Sequence, residues 1–336
     1  MLKVFLQKVM AGENLTFSEA RQAMEVIMSG DVPPVQIAAF ATALRLREET
    51  VEELAGFVTA MRQRAVKLNV SAPKAIDTCG TGGDGAGTFN ISTAAALIAA
   101  GAGATVVKHG GRGVSSSSGS ADVFAELGVK IDASPETVQR CVEEIGIGFC
   151  FAPVFHPGMK AAGPVRQELG FRTFFNLLGP LSNPAGVRRQ LLGVFHPSWT
   201  EKLAAVLQLL GSEHVLSFSN RGGMDELSFD SSSQAVELLS GHIRSYVLET
   251  SGWGYPRAGY RELSGGGPSE NARIIRAILK GEKGPRRDAA VLNAAAALYV
   301  AGKAASIREG LPLAEEAIDS ERALKKLELL IAASGK

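Results

Sequence analysis

The sequence predicts an α/β fold in which a small N-terminal helical domain precedes a larger domain built on a mostly parallel central sheet. Three observations lead there. Helix-capping patterns stand ahead of apolar residues at helical spacing in the first 72 residues, short apolar runs alternate with helical segments after that point, and glycine-rich turns follow two of those runs.

The helical domain spans residues 1–72. Thr16 with Glu19 and Thr50 with Glu53 each form the pattern in which a hydroxyl and a carboxylate satisfy the free amides of a first turn. Behind the second pair, Leu54, Phe57, Val58 and Met61 share one face. Gly30 ends the second helix, and Pro33-Pro34 open a third whose apolar positions are Ile37, Phe40, Ala41 and Leu44. No strand pattern occurs before residue 74.

Residues 73–336 read as the α/β domain. Runs at 75–79, 105–108, 148–152, 191–195 and 215–219 have strand length, and helical segments separate them. Ser134-Pro135, Ser198 with Glu201, and Ser269 mark helix starts, and the last third is Ala- and Leu-rich helix. Open α/β sheets bind ligands beyond the carboxyl ends of their strands, which directs attention to the loops after Cys79 and Lys108.

Composition narrows the partners. The 336 residues are 46% hydrophobic, enough for one large core or two modest ones. Lys and Arg number 35 against 34 Asp and Glu, so no global basic field attracts nucleic acid or an anionic membrane. The apolar stretch at 292–300 is too short to span a bilayer, and the N-terminus has no signal-peptide pattern, so a cytoplasmic protein is expected. Cys79, Cys141 and Cys150 are odd in number and lack CxxC spacing, which predicts free thiols rather than disulfides or zinc ligands.

Gly80-Thr81-Gly82-Gly83-Asp84-Gly85 fits the dinucleotide pattern G-x-G-x-x-G. That reading wants an acidic residue at the end of the next strand, which instead ends in Lys108-His109. No Gly-Lys-Ser/Thr follows, so the loop is not a Walker A. Positive φ in a tight turn explains one or two of the glycines; close approach of backbone to an anion explains more, with Asn90-Ile91-Ser92-Thr93 opening a helix behind the loop. A phosphorylated sugar is the expected ligand.

The run from Lys108 to Ser120 reads either as a solvated Gly/Ser linker or as a phosphate-binding βα loop offering cations, hydroxyls and amides; its place between strand and helix favours the second. His109 has no nearby carboxylate partner and is assigned a positional role. Asp225-Glu226 is either a solvated pair or a magnesium site completed by water and phosphate oxygens. Arg166 can cap a helix, form a surface ion pair or clamp a carboxylate.

Together, the run from Asp77 to Asp84, Asn90-Ile91-Ser92-Thr93, Lys108-His109-Gly110 and the run from Ser118 to Val123 closely resemble the anthranilate phosphoribosyltransferase family. The likeness continues through His156-Pro157, Pro164-Val165-Arg166, the run from Asn176 to Leu181, Asn183-Pro184, Asp225-Glu226-Leu227, Glu270-Asn271-Ala272 and Leu292-Asn293-Ala294, nearly the whole chain.

The resemblance implies an α/β domain like that of nucleoside phosphorylases and a helical domain that forms a homodimer contact and is rejoined by helices near 165–185. It implies that Gly80, Gly83, Asp84, Thr88, Asn90, Ile91, Ser92, Thr93, Lys108, Ser116 and Ser120 bind phosphoribosyl pyrophosphate (PRPP). It also implies that Ser92, Asp225 and Glu226 hold magnesium, as two ions, and that Arg166, the Gly80 backbone and position 111 face anthranilate. Two positions depart from the family pattern: Gly111 stands where Asn is usual, and Ser117 where Lys is. Pyrimidine nucleoside phosphorylase is the enzymatic rival, disfavoured by the acidic pair and the Asn-Ile-Ser-Thr run, and a non-catalytic nucleic-acid-binding relative is disfavoured by the near-neutral charge.

Overall fold

The computed structural model describes residues 1–113 and 117–335. Four helices come first: α1 (Leu2–Met10), α2 (Phe17–Met28), α3 (Pro34–Arg47) and α4 (Val51–Arg64). Both capping boxes form. The Glu19 amide donates to Thr16 Oγ1 at 3.3 Å and the Thr16 amide to Glu19 Oε2 at 2.8 Å; Thr50 and Glu53 reciprocate at 3.2 and 2.8 Å. Glu53 is fully buried, and it also accepts from the Leu15 amide at 2.8 Å and the Arg47 guanidinium at 2.5 Å. A cap that merely ended a helix would sit in water; this one locks three chain segments together.

The second part alternates: β1 (Ile76–Gly80), α5 (Ile91–Gly101), β2 (Val106–Gly110), α6 (Ser120–Glu126), α7 (Pro135–Arg140), β3 (Ile147–Phe151), α8 (Ala152–Phe155), α9 (Gly163–Leu169), α10 (Phe175–Leu181), β4 (Arg189–Gly193), α11 (Ser198–Leu209) and β5 (His214–Asn220). An antiparallel pair, β6 (Ser233–Leu239) and β7 (His242–Leu248), follows, then helices α12 (Pro268–Leu279), α13 (Pro285–Val300), α14 (Ile307–Asp319) and α15 (Arg322–Ser334).

The seven strands run in the order β3-β2-β1-β4-β5-β6-β7, with the first five parallel. The chain moves outward from β1 through β2 to β3, then crosses back and moves the other way from β4. β1 and β4 therefore flank the switch point, where a crevice opens beyond the strand ends Gly80 and Gly193.

The five expected strands all form, shifted by a residue or two. Phe195 falls beyond β4, and Ala152 begins α8 instead of ending β3. Two expected caps do not form: Ser198 lies inside α11 with its hydroxyl 2.8 Å from His196 Nδ1, and Ser269 lies inside α12, bonded to Glu126 Oε2 at 2.8 Å. A proline stands one residue earlier in each case: Pro268 is the first residue of α12, where its missing N–H costs nothing, and Pro197, already helical at φ −61°, takes the cap position of α11.

After β3 the chain returns to the first four helices. Val165, Phe174, Phe175, Leu177, Leu178 and Leu181 share a buried cluster with Phe40 and Phe57, and the Phe174 ring lies 4.6 Å from that of Phe57. The same cluster takes in Leu192, Val194 and Leu203, so it is continuous with the α11 side of the sheet.

Candidate functional site

The glycine turn after β1 occupies the switch point. The Thr81 amide donates to the Gly193 carbonyl at 2.9 Å, and the Phe195 amide to Thr81 Oγ1 at 3.0 Å. Gly82 and Gly83 are both left-handed, at φ 61° and 70°, a pair of conformations that side chains with a Cβ resist. A Cβ on Gly82 would meet nothing within 4 Å, so its glycine is required by conformation rather than by close approach. Close approach operates at the strand ends instead. A Cβ on Gly80 would lie 2.5 Å from Asp225 Oδ2, and one on Gly193 only 1.7 Å from the Asp225 carbonyl oxygen. Two strands ending in bare backbone let the loop after β5 fold across the sheet edge.

That loop carries the acidic pair. Asp225 Oδ2 accepts from the Gly82 amide at 2.8 Å, Glu226 Oε1 from the Ser92 amide at 3.0 Å, and the Asp225 amide donates to Asp84 Oδ2 at 3.2 Å. Asn293 fixes the next residue, accepting from the Leu227 amide at 3.1 Å and donating to its carbonyl at 2.9 Å. Asp84 and the acidic pair, from two loops, thus meet, and Glu226 reaches the first turn of α5.

Crowding these carboxyls out of water disfavours their charges. Burial, then the charge of Asp84, pushes Asp225 up to about 7; burial, then Asp225, pushes Glu226 well above the carboxylate range. Lys108 offsets part of this. It is 2% exposed, and its Nζ donates to the Thr78 carbonyl and lies 3.3 Å from Ser92 Oγ. It lies beneath the crevice as a strut, where the sequence alone suggests a loop cation.

Such a set of hard oxygen donors with excess negative charge suits a hard divalent cation. Among the described residues, no three His, Cys, Asp or Glu side chains are grouped to cage a metal alone. The set is therefore an open, partial one that substrate oxygens and water would complete.

The second glycine loop closes on itself. Asp122 accepts from the Gly113 and Gly119 amides at 2.9 and 3.0 Å and from Arg112 Nη1 at 2.8 Å, so Arg112 is already paired. Ser117 Oγ donates to the Gly266 carbonyl at 3.0 Å, and Gly110 packs against Ser120. Asn90 Nδ2 donates to the Ser118 carbonyl at 3.2 Å, joining the two loops. Asn271, on α12, donates to Asn90 Oδ1 at 2.9 Å, a support that no local pattern singles out. Thr88 makes a bridge to Ser264, while Ile91 and Thr93 are buried in the first turn of α5. Ser116 lies outside the described residues. Among the described residues, nothing lies within 4 Å of where a Cβ at position 111 would be.

Below the loops is a buried polar group. Asp77 accepts from Asn183 Nδ2 at 2.9 Å and from the His109 amide at 3.3 Å; His109 Nδ1–H donates to the Gly179 carbonyl at 3.1 Å, and its ring lies 5.0 Å from that of His156. Burial pushes His109 down to about 3 and His156 to about 4, while it pushes Asp77 up to about 6. Both imidazoles bind protons more readily unfolded, so stability falls as pH drops below the free value of about 6.5; by about pH 5 each costs about 2 kcal/mol. Asp77 acts oppositely, gaining its proton first when folded, for about 1.4 kcal/mol over the same range. Asp225 and Glu226, also raised, oppose the histidines in the same way, so one ring is read as a difference between variant and parent. Between neutral pH and about pH 5, thermal unfolding of His156→Asn should gain about 2 kcal/mol relative to the parent. A parent–variant difference that does not change with pH would contradict the burial of that ring.

Arg166, on α9, is half-buried, has no hydrogen-bonding partner at Nε and forms no ion pair among the described residues. Among the described residues no hydrogen bond or ion pair joins it to the glycine loops. Arg172 does reach them. Its guanidinium donates to the Thr81 and Gly82 carbonyls and stacks 4.0 Å over the Phe195 ring.

Residues 3–65 match the helical bundle domain of a glycosyl transferase family, and residues 72–324 match its a/b domain. Fold and site therefore define a glycosyl transferase of this two-part class. The chain is 50% identical over 332 residues to an anthranilate phosphoribosyltransferase from Moorella thermoacetica, covering 99% of this chain and 98% of that one. It superimposes with a TM-score of 0.93 on the anthranilate phosphoribosyltransferase of Thermus thermophilus, at 45% identity and covering 98% and 99% of the two chains. The Saccharomyces cerevisiae enzyme, solved in complex with PRPP and Mg, superimposes with a TM-score of 0.91 at 30% identity, covering 99% of this chain and 98% of that one. The chain belongs to the anthranilate phosphoribosyltransferase family.

Proposed function

We propose that this chain transfers the phosphoribosyl group of PRPP to the amine of anthranilate, releasing pyrophosphate, as a step of tryptophan biosynthesis. The observation that carries the reading is the hydrogen-bonding of Asp225 and Glu226 into the glycine turn and the first turn of α5 at the switch point.

The glycine turn, Asp84, Thr88, the Asn90-Ile91-Ser92-Thr93 turn and the second loop, with Ser116 and Ser120, bind PRPP. Lys108 supports them from below through Thr78 and Ser92. Asp225, Glu226 and Ser92 would hold magnesium, as two ions, which supplies charge neutralisation at the departing pyrophosphate. Free amides at the turn share that task. The anthranilate nitrogen lone pair forms the bond to the anomeric carbon as the carbon–oxygen bond breaks toward pyrophosphate, and the surplus amine proton passes to solvent. No side chain need act as base: His109 is buried and already bonded. Arg166 meets the anthranilate carboxylate, which agrees with its unpaired, half-buried state. Residues 1–72 with the helices near 165–185 form the helical domain, the remainder of 73–336 the PRPP-binding domain, and the protein is a cytoplasmic homodimer. Among the described residues no helix is long and apolar enough to cross a membrane.

The test is loss of anthranilate fluorescence with PRPP, with and without magnesium. No turnover with both present would end the reading.

Gly111 sharpens it. Asn at this position would add a donor to a charged acid, with no described residue in its way, worth about 1.5–3 kcal/mol. Gly111→Asn should lower the KM for anthranilate roughly ten- to a hundredfold without loss of stability. An unchanged or higher KM would count against a contact from this position.

A further inference from the structure

Arg172 lies between α9 and α10, two residues before Phe174 in the buried cluster of the helical domain, yet its guanidinium reaches the turn after β1. Its Nη2 donates to the Thr81 carbonyl at 3.1 Å and its Nη1 to the Gly82 carbonyl, while the Phe195 ring supports its face at 4.0 Å. Two consecutive carbonyls therefore converge on one rigid fork, a match that a planar guanidinium makes and an ammonium does not.

The consequence follows from peptide geometry. In a trans peptide the N–H points opposite to the preceding carbonyl, so fixing the Thr81 and Gly82 carbonyls turns the Gly82 and Gly83 N–H groups away from Arg172. The Gly82 N–H meets Asp225 Oδ2 at 2.8 Å on that side. The Gly83 N–H, turned the same way, has no acceptor among the described residues. Gly82, the residue between these two peptide planes, sets how their carbonyls face each other, and it does so with a left-handed φ of 61°.

We propose that Arg172 is a positioning residue: it presets the glycine turn so that the Gly83 amide is aimed at the diphosphate of the substrate, and it ties that aim to the seating of the helical domain. The proposal rests on the PRPP reading for the identity of the diphosphate. It goes beyond that reading in assigning the turn's shape to a side chain from the other domain.

Arg172→Gln removes the fork, and Arg172→Lys keeps charge but not the two-carbonyl match. Phe195→Leu removes only the supporting ring. With magnesium present, calorimetry should show inorganic pyrophosphate binding about tenfold more weakly to Arg172→Gln, with Arg172→Lys and Phe195→Leu between it and the parent. In turnover, the KM for PRPP should rise likewise while the KM for anthranilate stays constant. Parent-like pyrophosphate affinity in Arg172→Gln would overturn the proposal, and so would equal losses toward both substrates, which mark general disruption. If Arg172→Gln does not fold, Phe195→Leu decides: a parent-like KM for PRPP overturns the idea. A parent protein that binds pyrophosphate but does not consume anthranilate would defeat the functional reading alone, because the binding comparison would still test Arg172.

Discussion

Asp225→Asn and Glu226→Gln should each lower turnover by about a hundred- to a thousandfold, comparable to removing a group that stabilises transition-state charge, yet leave the metal-free fold as stable or more so. Both expectations come from the same geometry. Asp225 Oδ2 accepts from the Gly82 amide and Glu226 Oε1 from the Ser92 amide, and the carbonyl oxygen of Asn or Gln can keep either bond. What the substitutions remove is charge. Burial and mutual repulsion already push both carboxyls upward, so neutralising one relieves the unliganded fold. With magnesium and PRPP present, that charge is what holds the cation, and its loss leaves the departing pyrophosphate poorly neutralised. Turnover followed across a magnesium titration, beside thermal unfolding in chelator, separates the two effects. Parent-like turnover at every magnesium concentration would remove the pair from the mechanism; a lowered midpoint in chelator would mean the carboxylates serve the fold.

The parts of this site that are legible in the sequence are those whose reason is local. A run of glycines needing left-handed φ can be read without a fold, and so can the capping boxes at Thr16 and Thr50, because each is satisfied within a few residues. The acidic pair is legible as a pair, but its place is not. Asp225 meets Gly82 only because β1 lies between β2 and β4, and strand order is decided by packing of whole elements.

Lys108 shows the same limit. Its neighbours Gly110 and Gly111 suggest a solvent loop, yet the register of β2 points its side chain beneath the crevice toward Thr78 and Ser92. Arg172 sits in a linker with no motif of its own, and its partners lie about 90 residues earlier in the chain. The β6–β7 pair does carry a local signal, in its turn rather than in its strands. Ser240 and Gly241, at φ 51° and 84°, form a two-residue hairpin turn of the primed kind. The runs on either side are interrupted by Gln234, Glu237, Arg244 and Ser245, and so lack the continuous apolar texture of the buried parallel strands.

Gly193→Ala should do more damage than any other single methyl group added near the site. Its Cβ would lie 1.7 Å from the Asp225 carbonyl oxygen and 2.8 Å from the carbonyl carbon, so the contact is with backbone and no side chain can swing aside. Nor can the strand retreat, because β4 is held on both sides by β1 and β5. The loop after β5 must lift, and the bonds from Gly82 to Asp225 and from Ser92 to Glu226 go with it. Overpacking costs about 1–3 kcal/mol and each lost bond about 0.5–1.5 kcal/mol, so a loss of about 2 kcal/mol or more in unfolding is expected. Displacing the acidic pair by about 1 Å should cost at least about a hundredfold in turnover. Gly80→Ala meets only the Asp225 carboxylate, at 2.5 Å, and a side chain can rotate, so its stability loss should be smaller while its turnover loss remains. Gly259→Ala, with nothing within 4 Å among the described residues and no left-handed φ, serves as the control for adding a methyl group at all. If Gly193→Ala kept the parent's midpoint and turnover, the Asp225 segment could not lie across the ends of β1 and β4, and the metal pair would lose the placement from which its chemistry was derived.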